Sequence, residues 1–575
     1  MGHIFSRRWP VLVRLALMQI ILQTAFMPGM VPHAYAQVVP ETLPGPADAN
    51  RISPQPERRL PPQDSKMTLQ DQNLPGTEMP EGADQIHLTL NDVVFENVNA
   101  FTASELRPLY AEYLGKDITL DKVYGIAGRL TKMYRERGYF LSMAYVPDQK
   151  IGGGIVRIAV VEGRISEVEM QGNAPQGGVL SRYVAWIQSR LPVKSDEVES
   201  FLLRLNDVPG YDFRAVLSPL PDAAPGAVKL VLVPSKEKGR GQVSFDNFGS
   251  RYLGPNELSV FYSKSLLPMS QTSVSALVSA PADELRYFTA EHSVLVAPDV
   301  RVKVAGNITR STSGYRLKNL DIRGDSSDVS AAVEWQPVRQ RDRNVVLSFT
   351  LERRNTETEL LETPFSKDRV RAARAAVRYD GQNYFSGYDF AEVTMSRGLP
   401  IMGASRENDP DVSRPEAEPD FSKLEARITH LHDMGHDLVL SVSGAGQVAS
   451  GPMYASEEFG YGGQSFGRAY DSSEITGDHG IAAAAELQYN GLDVGDVFQV
   501  NPYVFYDVGR VWNEDAGQPE TASGASAGLG VRGSVLTKTN YNLGLAYPLT
   551  RTISAPVYGS GEDGPRMYVQ VNRIF

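Results

Sequence analysis

With 575 residues the chain is too long for one ordinary domain, and 22% charged residues with a mean hydropathy of −0.26 exclude a multi-span helical membrane protein. A net charge of −11 argues against nucleic acid as a partner, and the absence of cysteine removes disulfides, thiol nucleophiles and Cys-held metals. A transmembrane β-barrel passes these tests, because alternating strands average to a soluble-looking composition.

Arg7 and Arg8 precede a largely apolar run over residues 15–31, and Ala34-Tyr35-Ala36 is a small-residue cleavage site before Gln37. Residues 1–36 therefore read as a secretory signal peptide. Residues 37–85 form a Pro-rich periplasmic linker in which Pro40, Pro44, Pro46, Pro54, Pro56, Pro61 and Pro62 recur, so an extended or disordered segment is predicted.

From Ile86 the pattern becomes α/β. Residues 86–90 and 93–95 read as strand and 104–114 as helix. A second helix carries one apolar stripe of Leu120, Val123, Ile126, Ala127, Leu130, Met133 and Tyr134 after the candidate cap Thr119. Gly138 ends it, and residues 139–146 and 154–161 read as two strands. The spaced residues Tyr134, Gly138, Tyr139, Pro147, Gln149, Val161, Glu162 and Gly163 resemble a POTRA domain over residues 86–163. A second cycle covers residues 164–236, with helices over 179–191 and 195–206 and strands over 165–172, 213–217 and 228–233. It carries Leu205-Asn206-Asp207-Val208-Pro209-Gly210, which resembles a signature of the two-partner-secretion transporters. The apolar stripes are core, which leaves strand edges, with their unpaired N–H and C=O groups, for an extended peptide.

After Gly239 the period switches to two. Alternating runs at 257–262, 272–279, 285–295, 300–308, 329–335, 345–351, 370–379 and 438–448 are the repeated signal of a barrel over residues 240–575. The chain ends with Met567, Val569 and Val571 in alternation and a terminal Phe575.

Residues 461–486 interrupt the alternation. This long Gly-rich loop holds Phe466, Gly467, Arg468, Ala469 and Tyr470, then Gly477-Asp478-His479-Gly480 before a returning strand. Phe505, Asp507 and Gly509 follow on a later strand. A loop Arg followed by a strand Asp resembles the two-partner-secretion transporters of the Omp85 superfamily, the haemolysin and filamentous-haemagglutinin exporters. That resemblance implies an all-β transmembrane barrel of about sixteen antiparallel strands, preceded by two α/β POTRA domains. It also implies that the loop folds inward, with Arg468 meeting Asp507 in a water-lined lumen, and that Phe575 is read by the barrel assembly machinery. A short plug helix, with residues 47–59 as the candidate, is another family feature, though Pro54 and Pro56 break it. The implied function is capture of an unfolded secreted partner by the POTRA pair and export without ATP across the outer membrane, whose lipid surrounds the barrel. This chain departs from the family at the residue after the Arg, where Ala469 replaces a Gly, while Gly467 precedes it.

Other motifs carry less. Gly528-Leu529-Gly530-Val531-Arg532-Gly533 matches a dinucleotide fingerprint, but its flanks, a loop over 521–527 and a strand over 534–545, are not a βαβ unit. His430, His432, His436, Asp433 and Asp437 have metal-like spacing, yet Gly435 makes a hairpin turn the simpler reading. No metal, cofactor or enzymatic constellation is expected. An outer-membrane assembly insertase of the same superfamily is the alternative function.

Overall fold

The computed structural model describes residues 45–48, 67–69, 79–172, 178–220, 223–383, 387–406, 409–494, 498–514, 519–536, 538–553 and 563–575. The signal-peptide stretch lies outside them, as does all of the plug candidate except residues 47 and 48.

In chain order the N-terminal elements are β1 (Met67–Leu69), β2 (His87–Thr89), β3 (Asp92–Glu96), α1 (Ala103–Leu106), β4 (Asp117–Thr119), α2 (Leu120–Glu136), β5 (Met143–Tyr145) and β6 (Ile155–Val161). β7 (Arg164–Met170), α3 (Val179–Gln188), α4 (Ser195–Asn206), β8 (Tyr211–Pro219) and β9 (Ala227–Lys236) complete them. In the first unit β3, β6 and β5 form one sheet and β2 pairs with β4. The apolar stripe of α2 supplies its core, with Val123, Ile126, Leu130 and Tyr134 fully buried. The helix expected over 104–114 is not continuous: α1 stops after four residues and two 3-10 turns follow, at Arg107–Leu109 and Ala111–Tyr113. Pro108 explains the break, because it has no N–H to donate and its ring crowds the preceding turn. The strand expected over 139–146 shortens to β5, because Gly138 (φ 85°) leads into a turn before Met143.

The second unit has α3 and α4 on a sheet of order β1-β8-β9-β7. Its β1 corrects the reading of the linker as wholly irregular. Residues 67–69 pair in parallel with residues 215–217, and so cover the outer edge of β8. The linker also forms 3-10 turns at Gly45–Ala47 and Ala83–Gln85. Ala47 packs among Tyr252, Leu253, Leu277 and Leu285 of the barrel.

The barrel strands are β10 (Arg240–Asp246), β11 (Asn256–Lys264), β12 (Ser270–Ala280), β13 (Leu285–Ala297), β14 (Val300–Thr312), β15 (Arg323–Arg339), β16 (Arg343–Leu360), β17 (Thr363–Gln382), β18 (Gly387–Gly398), β19 (Ser422–Gly435) and β20 (Leu438–Ala449). A small hairpin inside the next loop, β21 (Phe459–Tyr461) with β22 (Ile475–Gly477), is not part of the wall. The wall resumes with β23 (His479–Tyr489) and its continuation β24 (Leu492–Val494), then β25 (Phe498–Trp512), β26 (Thr521–Val535), β27 (Thr539–Pro548) and β28 (Arg566–Ile574). The result is a closed antiparallel barrel of sixteen strands. Alternation sorts the side chains: Val302, Val304, Ile308, Val329, Val333, Trp335, Phe349 and Leu351 are exposed outward. Lys303, Asp328, Glu334 and Glu352, at the positions between them, meet charged partners inside. A girdle of exposed apolar residues around a polar interior suits hydrocarbon outside and water within.

The Gly528–Gly533 motif lies within β26, so no dinucleotide fold surrounds it, and residues 521–527, expected as loop, are its first half. Their small side chains gave no alternating signal. His430 and His432 stand on β19, and Gly435, His436 and Asp437 turn the hairpin with positive φ; His430 bonds Asp389 at 2.7 Å.

β10 and β28 close the wall over five residue pairs, from Gln242 opposite Ile574 to Asp246 opposite Gln570. Phe575 extends the seam, exchanging both backbone hydrogen bonds with Gly241 at 2.9 and 3.0 Å. A Cβ on Gly241 would lie 2.2 Å from the Phe575 ring. Gly241→Leu should therefore weaken the seam. Unheated wild type is expected to run faster than boiled protein on a denaturing gel, with the fast band reduced several-fold in the variant.

Candidate functional site

The chain between β20 and β23 turns back into the barrel. Gly467, with φ 78°, supplies the left-handed residue at the loop tip, whereas Ala469 is not among the residues with positive φ. The glycine that the turn needs precedes the Arg here, which accounts for Ala469. Ala469 and Tyr470 are fully buried, and Tyr470 donates from its hydroxyl to the Ala525 carbonyl on β26 at 3.0 Å.

Arg468 meets Asp507. Its Nη2 donates to Asp507 Oδ1 at 2.8 Å, while Nε (3.1 Å) and the backbone N (3.0 Å) both donate to Oδ2. Ser526 Oγ adds a fourth donor at 3.2 Å. The remaining guanidinium nitrogen, Nη1, donates to Glu486 Oε2 at 2.6 Å, and Glu486 also receives Arg532 Nη2 at 2.8 Å. The guanidinium stacks 3.6 Å from the Phe505 ring centroid. Asp507 is fully buried, and the Arg468 side chain, 10% exposed, borders the cavity inside the barrel, so of the pair expected to line the lumen the carboxylate is the part shut away from it. Removing one partner then strands a buried charge, a loss of about 3–5 kcal/mol instead of the smaller value for exposed pairs.

Gly509 belongs to the same packing. A Cβ there would lie 2.2 Å from the Tyr461 ring, and one on Gly524 2.7 Å from it, so two wall glycines leave room for the ring of a loop tyrosine. Gly477 likewise faces Val511 and Trp512, with 2.8 Å between its would-be Cβ and each. Asp478, also fully buried, receives Arg414 Nη2 at 3.0 Å and the backbone N of Met453 at 2.7 Å. Arg414, which also meets Glu458 at 2.9 Å, comes from the loop between β18 and β19. Arg566 on β28 holds Asp471 at 2.7 Å. Sequence reading missed Glu486, Arg414, Asp471 and Arg566, because their partners lie 18 to 95 residues away and no spacing marks them. Below the loop a cavity of about 1330 Å³ is lined by polar groups including Gln242, Asp246, Arg427, Gln488 and Asn572.

The predicted POTRA residues form a different site. Tyr134 donates from its hydroxyl to Glu162 Oε1 at 2.7 Å, and the same oxygen accepts the backbone N–H groups of Asn99 (2.8 Å) and Ala100 (3.0 Å). Burial first, then the bond to Glu162, raises the Tyr134 hydroxyl above its ordinary pKa, so it remains a donor. Gln149 acts as a strand surrogate, with Nε2 to the Arg157 carbonyl and Oε1 from the Arg157 N–H, both 2.7 Å; its Nε2 also reaches the Pro147 carbonyl at 3.3 Å. Gly138 and Gly163 lie at the junction of the two units, accepting Ser195 N (2.9 Å) and Val193 N (3.0 Å). Lys194, between those donors, sits 5.2 Å from the Tyr139 ring. Asn206 Oδ1 accepts Phe213 N at 2.7 Å, and its neighbour Asp207 takes Arg339 Nη2 at 3.0 Å from the last residue of β15. Pro209 and Gly210 complete the turn between α4 and β8, Gly210 with φ 89°. These motif residues fasten unit to unit and unit to barrel.

Residues 300–532 match the family described as "Haemolysin secretion/activation protein ShlB/FhaC/HecB", and residues 88–163 match "POTRA domain, ShlB-type". The chain is similar to the heme/hemopexin transporter protein HuxB of Haemophilus influenzae (strain 86-028NP), at 22% identity over 73% of this chain and 75% of that one. It is similar to the outer membrane transporter CdiB of Dickeya dadantii (strain 3937), at 21% identity over 77% and 80%. The solved structure of CdiB from Escherichia coli superposes with a TM-score of 0.67 at 19% identity, covering 88% of this chain and 93% of that one, a likeness of fold.

Glu162→Ala should leave the N–H groups of residues 99 and 100 without their acceptor, at about 0.5–1.5 kcal/mol each, since water reaches the exposed Asn99. Hydrogen exchange at those two amides is expected to accelerate several-fold, with the barrel amides unchanged.

Proposed function

The chain belongs to the ShlB/FhaC/HecB family of two-partner-secretion outer-membrane transporters, and from that premise we propose that it exports one large secreted partner, captured unfolded by its periplasmic α/β units. The observation that carries this reading is the inward loop, fixed inside the barrel by the buried Arg468–Asp507 pair. A barrel of sixteen strands is wide enough for an aqueous channel, and here the loop fills part of it. An extended polypeptide needs that space, so the loop is the barrier that export moves.

Among the described residues, β3, β5 and β7 each present one outer edge with no further strand, which is where an extended client of TpsA type would add by backbone pairing. The second unit is held against the barrel by Asp207–Arg339, at the end of β15, and by Tyr183–Asp299 at 3.0 Å, in the turn after β13, so a client bound there arrives beneath the pore. Transport uses no ATP in this reading; folding of the client outside supplies the free energy and prevents return. Outer-membrane lipid contacts the apolar girdle, and Phe575 at the seam is the signal for the barrel assembly machinery. Arg468, with Gly467, Ala469 and Tyr470, forms the loop tip, and Phe505, Asp507 and Gly509 form the wall that receives it.

Arg468→Ala and Asp507→Ala should each reduce secreted partner several-fold and increase channel openings in planar bilayers, with heat-modifiability retained. The double variant should be no worse than either single one, because the two residues share one interaction. Additive losses, or an unaltered Arg468→Ala, would show that the loop is held otherwise. Deleting residues 86–233 should leave an inserted barrel with no export; continued export at the normal rate would remove the α/β units from client recognition.

A further inference from the structure

Besides the pairs made by Arg468, Asp471 and Asp478, the inward loop has a charged attachment at its root. Its first turn, Ala455–Glu457, brings Glu457 against β16, β17 and β19. The Glu457 side chain is 1% exposed. Its carboxylate accepts Arg374 Nη2 at 2.7 Å and Nη1 at 3.2 Å, and lies 2.9 Å from Lys423 Nζ and 3.6 Å from Arg354 Nη1. Its carbonyl accepts Lys423 Nζ (3.2 Å) and Gln447 Nε2 (2.9 Å). Arg354 also donates to the neighbouring Ser456 carbonyl at 3.3 Å.

The wall supplies three carboxylates of its own for these three cations. Glu352 serves both Arg374 and Arg354 at 2.7 Å, Asp328 takes Arg354 at 3.1 Å, and Glu425 stands 3.3 Å from Lys423. Within this cluster only Glu457 belongs to the loop; every other carboxylate and cation is on a strand. Three cations converging on one inserted carboxylate form a socket, and withdrawing it removes a buried partner that all three share and that water must replace. β17 and β25, which carry the Glu457 and Arg468 attachments, are five strands apart in the barrel order.

We propose that Glu457 is a further positioning residue of the inward loop, fixing the loop's root to the β16–β19 wall as Arg468 fixes its tip to β25. This rests on the reading of the loop as the barrier to export. The lumen is then closed by a segment strung between its root and its tip, where Arg468 and Asp471 both meet the wall. The chain from residue 457 to residue 468 spans at most about 3.3–3.6 Å per residue, so release at either site alone permits only a swing about the other. A wide pore requires both to let go.

The test uses the full-length protein: wild type, Glu457→Gln, Glu457→Asp, Lys423→Gln, Arg468→Ala and the double variant Glu457→Gln/Arg468→Ala. Each is recorded in planar bilayers and assayed for export, with heat-modifiability as the measure of assembly. Glu457→Gln keeps the shape and removes the charge, so a packing role alone leaves its channel like wild type. The expected result is a several-fold rise in open probability for Glu457→Gln, a smaller rise for Lys423→Gln and substantial recovery in Glu457→Asp. The double variant should show a larger dominant conductance than either single one. Wild-type gating in Glu457→Gln beside an altered Arg468→Ala overturns the attachment at the root and leaves the one at the tip standing. Altered gating in Glu457→Gln beside a silent Arg468→Ala supports the socket and removes the role given to Arg468. Silence in both overturns both, and failure of both Glu457→Gln and Lys423→Gln to assemble assigns the cluster to folding and overturns the proposal.

Discussion

Closure of the strand ladder governs everything else in this molecule. A sheet in hydrocarbon cannot leave an edge of unpaired N–H and C=O groups, so β10 must find β28 at the far end of the chain. That pairing is short, and the backbone exchange between Gly241 and Phe575 lengthens it. Once the wall is closed, every second side chain points inward, and a polar interior follows from the same alternation that makes the exterior apolar.

A polar interior makes charge the natural means of fastening a loop inside it. Arg468, Asp471 and Asp478 each meet an opposite charge from another segment, and each lies in a place largely closed to water. Burial makes such pairs expensive to form alone but costly to break once formed, which suits a part that holds one position until something displaces it. The glycines of the wall complement the ion pairs: Gly509 and Gly524 leave space for Tyr461, so the loop is seated by shape as well as by charge.

The α/β units follow another logic. Their motif residues, Tyr134, Gln149, Glu162 and Gly163, tie backbone to side chain and first unit to second. The strand formed by residues 67–69 covers the β8 edge, so the chain already uses backbone pairing on its own sheet, the mode proposed for its client.

Much of this was legible in sequence, because period and punctuation are local. The stripe of α2, the hairpin glycine Gly435 and the alternating runs each announce themselves within a dozen residues, and they determined the barrel class and the α/β units. Where local signals conflicted, reading failed: Pro108 broke a helix that its neighbours favoured, and the small residues 521–527 hid a strand. The resemblance of the loop to a family joined Arg468 to Asp507, but that Asp507 is fully buried, and that Glu486 shares the guanidinium, came only from the fold. The sockets around Glu457 and Asp478 draw their members from strands and loops spread over a hundred residues, and burial of a charge depends on what closes over it. Sequence by itself determined which faces would be apolar and where the chain must turn; tertiary structure alone decided which charges meet, because that depends on the register of a closed wall.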